Sequence, residues 1–407
     1  MKHNKITSYW LILTIRFACI LFFFGAQTPG IAQIKTSLIR ATNEKVLIAD
    51  GENLKMDWKL NPQVKPDIYY VNIPSRKSRV ILTTDQDEIS FETKPGENYD
   101  VIVLLNERDS CHIRISSVHS PTSVVMEPQV AFPKSVPFTL IGSRIYFKGD
   151  LNGKPVNIQL DLGAGINVIN KSALDKLDLK FSKSTLVSNT DGVNEARTSI
   201  NNGLKIGSLN WSGVVVTEVG NMQPYEDMII GNGLFRDKII EIDYERMEFT
   251  IYDKLPAKAK FYAKQPVYFE QDRPKFKAEF VQNGNTYSFW FLFDTGRDGS
   301  MLIGEDFTGI NDHWEKLNEL RMIKGRKIVR LDAIIAGQKI KDVVTNAANP
   351  DNPQGRPSLF GNQILNHFNV ILDNKNGVLY LKSNNRKDES YSDYKSYLNE
   401  AAKMQKE

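Results

Sequence analysis

At 407 residues the chain exceeds what one hydrophobic core usually organises, and two or three domains are expected. Its 41% hydrophobic and 25% charged residues, with 26 glycines and 17 prolines, describe a globular chain and exclude a collagenous, mucin-like or wholly disordered one. The formal charge of +4 falls close to neutrality once Lys2, Lys5 and Arg16 are set aside with the N-terminal stretch, so nothing in the charge calls for nucleic acid.

Lys2 and Lys5 precede an apolar run over 9–24, and Gly30-Ile31-Ala32 supplies the small-x-small pattern that signal peptidase accepts. Residues 1–32 therefore read as an export signal, with a periplasmic or extracellular mature protein that does not engage the membrane after signal removal. Arg16 interrupts the apolar run and leaves it short for a stable span. It also stands three residues before Cys19, where a lipoprotein signal wants an aliphatic residue. Of the two cysteines, only Cys111 remains in a processed chain, which excludes an intramolecular disulfide.

The mature chain reads as all-β. Short β-type runs over 46–49, 68–73, 80–84, 89–93, 99–105 and 112–117 alternate with turn clusters such as Asp50-Gly51 and Lys94-Pro95-Gly96, the spacing of a small β-sandwich over 35–120. His112 and His119 lack carboxylates or thiols at ligand spacing and read as surface residues. Pro121, Pro128, Pro133 and Pro137 mark 121–137 as an extended linker, and 384–407 is a charged tail, frayed or disordered.

Between these, 138–383 is one pattern written twice, over 138–256 and 257–383. In the first copy a β-hairpin with a turn at Asn152-Gly153 runs into Asp161-Leu162-Gly163-Ala164-Gly165. In the second, a hairpin with a turn at Asn283-Gly284 runs into Asp294-Thr295-Gly296-Arg297. Gly207 and Gly337 each precede an apolar-apolar-Gly-Asn element by 24 residues, Ile229-Ile230-Gly231-Asn232 and Leu359-Phe360-Gly361-Asn362. Asp243 and Asp373 each follow its glycine by 12. Each copy is expected to carry one helix, near 172–177 and 312–320. Two related lobes packed about a pseudo-two-fold axis would bring the equivalent residues Asp161 and Asp294 to a shared interface. Asp243 and Asp373 precede turn-like segments and read as hairpin-turn residues, and Trp211, Trp290 and Trp314 as core or interface aromatics.

Each Asp closes an apolar strand and is followed two residues later by a glycine, Gly163 or Gly296, that permits a tight turn and close backbone approach. Two carboxyl groups meeting there cannot both ionise cheaply, so they share one proton. The ionised group can then take a proton from a water attacking a peptide carbonyl, while the protonated group hydrogen-bonds the carbonyl oxygen as charge builds on it. This chemistry needs no metal, no cofactor and no covalent intermediate. His313 and His367 lack partners at catalytic or ligand spacing, and no serine-hydrolase elbow, zincin helix or phosphate loop is present.

On these residues 138–383 resembles the pepsin-like and retropepsin-like aspartic proteases, in which an Asp-Thr/Ser-Gly loop and a later apolar-apolar-Gly element recur once per lobe or subunit. The resemblance implies a two-lobed β fold with a cleft between the lobes, closed by hairpin flaps near 183–200, turning at Asp191-Gly192, and near 320–332, turning at Lys324-Gly325. It implies catalysis by Asp161 and Asp294, with Gly163, Ala164, Thr295 and Gly296 supporting the loops, in a monomer acting on a peptide or protein substrate. Two positions depart from the family pattern. Leu162 replaces the hydroxyl residue whose hydrogen bond locks one loop to the other, and Arg297 replaces a small residue, so activity requires its guanidinium to face solvent or substrate. The alternative reading is a catalytically impaired, protease-like module that binds peptides or proteins on an exported β protein. The substrate-binding residues are not assigned at this stage.

Overall fold

The computed structural model describes residues 37–391, apart from residues 53, 122–123, 127–130, 190–191 and 324. The expected export signal, the flap turn residues Asp191 and Lys324, and the end of the tail lie outside the described residues. The protein is all-β, and among the described residues the helices are short segments of four to six residues between strands.

The N-terminal part is two four-stranded sheets on one core. Ser37–Ala41, Asn98–Leu105, Asp109–Ser116 and Asp67–Tyr70 form one; Leu54–Lys59, Lys45–Asp50, Ser78–Thr83 and Glu88–Thr93 form the other. The period-2 pattern explains the packing: Lys45–Asp50 buries Val46, Ile48 and Asp50, and Asn98–Leu105 buries Val101, Val103 and Leu105. Cys111 lies in the same core as a free, buried thiol. This part is fastened to the rest of the chain at Phe269, whose backbone N–H donates to Asn72 Oδ1 (2.9 Å) and whose carbonyl accepts from Asn72 Nδ2 (2.5 Å). Ser75 Oγ donates to the Lys375 carbonyl, and the Arg76 guanidinium lies 4.8 Å from the centroid of the Tyr268 ring.

From residue 134 onward the two sequence copies carry the same succession of strands. In the first, the hairpin Arg144–Leu151 and Lys154–Leu160 is followed by Val168–Asn170, the hairpin Phe181–Asn189 and Gly192–Ile206, then Leu209–Val219, Met228–Ile230, Ile239–Asp243 and Glu248–Tyr252. In the second, the succession is Arg273–Gln282, Asn285–Asp294, Met301–Ile303, Glu319–Ile323, Arg326–Ile335, Gln338–Ala347, Leu359–Gly361, Phe368–Asp373 and Val378–Ser383. The pairings match too. Lys154–Leu160 runs parallel to Met228–Ile230 as Asn285–Asp294 does to Leu359–Gly361. Val168–Asn170 runs parallel to Leu209–Val219 as Met301–Ile303 does to Gln338–Ala347.

The copies meet where Ile239–Asp243 pairs antiparallel with Phe368–Asp373. The equivalent residues Glu241 and Ile371 stand opposite each other, as a two-fold relation requires. The sheet continues outward through Glu248–Tyr252 and Lys134–Pro137 on one side, and through Val378–Ser383 and Ala263–Glu270 on the other. The end of the stretch expected as a linker is thus the edge strand of this sheet, a position that tolerates Pro137. Val125–Met126 also pairs, with Trp211 and Ser212. Phe147, Trp211, Phe235 and Phe249 fill the core under the first copy and Phe276, Phe280, Phe291 and Phe360 that under the second, each burial worth about 1.5–3 kcal/mol.

The helix expected near 172–177 is a 3-10 turn, Lys171–Lys176, capped by Asn170, whose side chain accepts from Ser172 N. The helix expected over 312–320 is replaced by two single turns, Glu305–Thr308 and His313–Lys316. Asp312 takes a left-handed φ of 62°, Leu317 is extended, and Glu319 begins a strand. The start of the tail is packed rather than frayed: Asn384 is buried and donates to the Asn366 carbonyl, and Tyr391 stacks on His367 at 5.5 Å.

Candidate active site

Asp161 follows directly on Lys154–Leu160, and Asp294 ends Asn285–Asp294; each is held at the sheet end by the apolar-apolar-Gly strand beside it. The Asp161 N–H donates to the Ile230 carbonyl at 2.9 Å. The glycine of that element lies beneath the neighbouring loop, since a Cβ at Gly231 would collide with the Ala164 carbonyl and one at Gly361 with the Gly299 carbonyl. Gly231 N–H donates to Asn167 Oδ1, and Gly361 N–H to the carbonyl of the equivalent Ser300.

The two Asp loops interlock. A Cβ at Gly163 would stand 2.8 Å from Asp294 Cγ and 3.1 Å from Asp161 Oδ1, and one at Gly296 would overlap the Asp161 carboxyl. Only glycine lets the loops close to this distance. Each carboxylate accepts from its own loop, Asp161 from Gly163 N–H (2.8 Å) and Asp294 from the N–H groups of Gly296 and Arg297 (both 3.0 Å).

The two carboxyl groups face each other: Asp294 Oδ1 and Asp161 Oδ1 lie 2.8 and 3.1 Å from the one point that a Gly163 Cβ would occupy. Burial and the charge of Asp294 push Asp161 well above the usual carboxylate range. Burial raises Asp294 as well, but the Arg297 guanidinium and the Arg297 N–H pull it back. Both carboxyl groups are raised, Asp161 the more strongly, as expected of a pair that shares one proton.

Thr295, fully buried, supplies the lock between the loops. Its Oγ1 accepts from the Leu162 N–H at 2.9 Å and donates to the Leu160 carbonyl at 3.0 Å. Leu162 carries no hydroxyl to return the bond and is instead wholly buried in the main core. Ala164 receives Gly231 against its carbonyl. Arg297 makes no ion pair with either carboxylate among the described residues, and its buried Nε has no partner.

Residues 147–234 match the family described as aspartyl protease. The match takes in Asp161, its loop and Gly231, and supports a protease-like function in general. No curated protein matches the chain.

Four supporting residues escaped the sequence reading. Arg144 Nε (2.8 Å) and Gln159 Nε2 (3.1 Å) both donate to the Gly296 carbonyl, fixing the second loop from the first copy. Asn232 and Asn362, which follow the two repeat glycines, each cross to the opposite copy. Asn232 Nδ2 donates to the Asp272 carbonyl and Asn374 Oδ1, both at 2.8 Å. Asn362 Oδ1 accepts from Tyr244 Oη at 2.6 Å, while its Nδ2 donates to the Ser143 carbonyl. The repeated Gly-Asn was the available signal.

Other sequence candidates have structural roles. Asp243 Oδ1 accepts from the N–H groups of Glu245 and Arg246, and Asp373 Oδ1 from that of Asn376, as hairpin-turn residues do. His313 stacks on Phe307 at 4.3 Å, and His367 is buried with its pKa lowered by desolvation. His112 Nε2 lies 3.2 Å from Asp100.

Proposed function

We propose that the chain is an aspartic endopeptidase in which Asp161 and Asp294 activate a water. The observation that carries this reading is the juxtaposition of two partly buried carboxyl groups on interlocked, sequence-equivalent loops. Asp294, held ionised by Arg297 and two backbone N–H groups, is the base that takes a proton from the attacking water. Asp161, held protonated by burial, donates to the peptide carbonyl oxygen as the tetrahedral intermediate forms. Proton transfer to the leaving nitrogen then collapses the intermediate and returns the pair to its starting state. Thr295, Gln159 and Arg144 keep the loops in register, which is where preorganisation enters the rate. The hairpins Phe181–Asn189 with Gly192–Ile206 and Glu319–Ile323 with Arg326–Ile335 are the flaps of a cleft between two lobes in this reading.

In this reading residues 35–120 serve as an accessory domain and 1–32 as an export signal. No helix among the described residues is long and apolar enough to cross a membrane. The test is digestion of an unfolded protein between acidic and neutral pH. Cleavage that a statine-type inhibitor blocks supports the proposal; a wild-type chain that binds peptides and never cuts them supports the binding-module alternative.

A further inference from the structure

Superposing the repeat shows a charge difference confined to the second copy. Three residues beyond each Asp stand Ala164 and Arg297. Five residues before each repeat glycine stand Glu226 and Arg356. In the flap strands, Thr198 pairs with Thr217 and Ile328 with Asn346, and those partners in turn pair with Val168 and Leu302, which fixes the register. Two residues earlier in each strand stand Ala196 and Arg326. Three positions that carry no base in the first copy are therefore all arginine in the second.

The fold brings the three together. Arg326 opens the inner flap strand, opposite Ile323 at the hairpin tip, and its neighbour Lys327 pairs with Ala347. Ala348 N–H donates to the Ile303 carbonyl, and the next residue, Gly304, packs against the Arg356 carbonyl. Arg356 N–H donates to Glu305 Oε2 at 3.0 Å, while its carbonyl accepts from Glu305 N–H. Arg297 lies at the other end of this segment, its carbonyl accepting from Asn362 N–H at 2.9 Å. Burial, and then the charges of Arg356 and Arg297, hold the Arg326 guanidinium below its usual value, in keeping with that adjacency.

Three like charges gathered there repel one another, and the Asp294 carboxylate offsets that of Arg297 alone. Among the described residues none of the three forms an ion pair, and Arg297 Nε is buried without a partner. The charge of Glu305 favours the Arg326 cation, but its two oxygens are engaged by the N–H groups of Gln354 and Arg356 and make no ion pair with a guanidinium among the described residues. In the first copy, by contrast, Glu226 Oε1 is satisfied by Tyr146 Oη at 2.5 Å. All three arginines are partly exposed, so an external anion can reach them.

We propose that Arg297, Arg326 and Arg356 form a carboxylate-recognising subsite beside the dyad, which selects peptides carrying an acidic group next to the scissile bond. The inference rests on the endopeptidase reading for its position relative to the cut. Arginine forks match a carboxylate bidentately, and the partly buried setting strengthens the bond. The carboxylate comes from a Glu or Asp side chain or from a peptide C-terminus.

The experiment compares peptide pairs that differ only as Glu against Gln at each position flanking the cut, and as free acid against amide at the C-terminus. The expected result is at least a ten-fold higher kcat/KM for one acidic member, carried mainly by KM and shrinking as salt rises. Arg326→Ala and Arg356→Ala should each collapse that ratio toward one, Arg326→Lys should keep part of it, and Arg326→Glu should invert it. A side-chain preference without a C-terminal one identifies the internal acid, and the reverse identifies the terminus. Equal cleavage of every pair by the wild type, or a ratio preserved in both Ala variants, overturns the subsite while leaving the protease reading intact. If no peptide is cut, the protease reading fails, and calorimetry on the same pairs still decides the subsite: tighter binding of one acidic member supports it, and equal or undetectable binding overturns it.

Discussion

At the scale of single residues, the two aspartates were legible because the Asp-x-Gly loop and the spacings of 24 and 12 residues about the repeat glycines occur twice, and equivalent residues of a duplicated fold meet at its axis. What the sequence did not show was the difference between them. Burial and the charge of Asp294 raise Asp161, whereas Asp294, also raised by burial, is drawn back in part by the Arg297 guanidinium. Removing the guanidinium makes the Asp294 carboxylate less favourable, so its pKa rises. Arg297→Ala should therefore move the acid limb of the kcat/KM profile to higher pH; a shift to lower pH or none contradicts the assignment of Asp294 as base. Thr295 is the second residue-scale test. Thr295→Val keeps the shape and removes the hydroxyl, so the buried Leu162 N–H loses its Thr295 acceptor. A loss of about 1–3 kcal/mol should appear in denaturant titration. Arg326 and Arg356 stayed hidden because their equivalence to Ala196 and Glu226 depends on strand register and on counting from the repeat glycines, and neither lies near a motif.

Among the elements, strands with clean alternation were readable and those without it were not. Leu54–Lys59 has no fully buried position, and Lys134–Pro137 sits in a proline-bearing stretch. Over 312–320 the apolar spacing of Trp314, Leu317 and Leu320 mimics one helix face. Strand pairing wins there, because Glu319–Ile323 is needed as the outer strand of the hairpin with Arg326–Ile335. The Asn residues after the two apolar-apolar-Gly strands turn those strands into cross-links between the copies. Asn362→Ala would leave the Tyr244 hydroxyl and the Ser143 carbonyl without their partner inside the protein. It should cost about 1–3 kcal/mol, read as a lower unfolding midpoint at unchanged m-value. A midpoint within error of the wild type would remove Asn362 from the account.

Across the whole molecule, the pairing of Ile239–Asp243 with Phe368–Asp373 joins the two copies in one sheet, and the N-terminal sheets dock on the second copy through Asn72, Ser75 and Arg76. The all-β class and the duplication were readable from spacing alone. The docking was not, because Asn72 and Phe269 lie 197 residues apart and no repeat links them. Asn72 satisfies both backbone groups of Phe269, so one cooperative thermal transition is expected for the wild type, and Asn72→Ala should lower it or split it in two. Two separate transitions already in the wild type would contradict the coupling.

The dyad is a unit in this account, and a unit gives non-additive losses. The decisive measurement is the rate at which an unfolded protein is digested by the wild type, Asp161→Asn, Asp294→Asn and the double variant, each confirmed as folded. Either single variant should lose activity as completely as the double. A single variant that digests at the wild-type rate would show that one carboxyl group is dispensable and that the pair is not the catalytic centre.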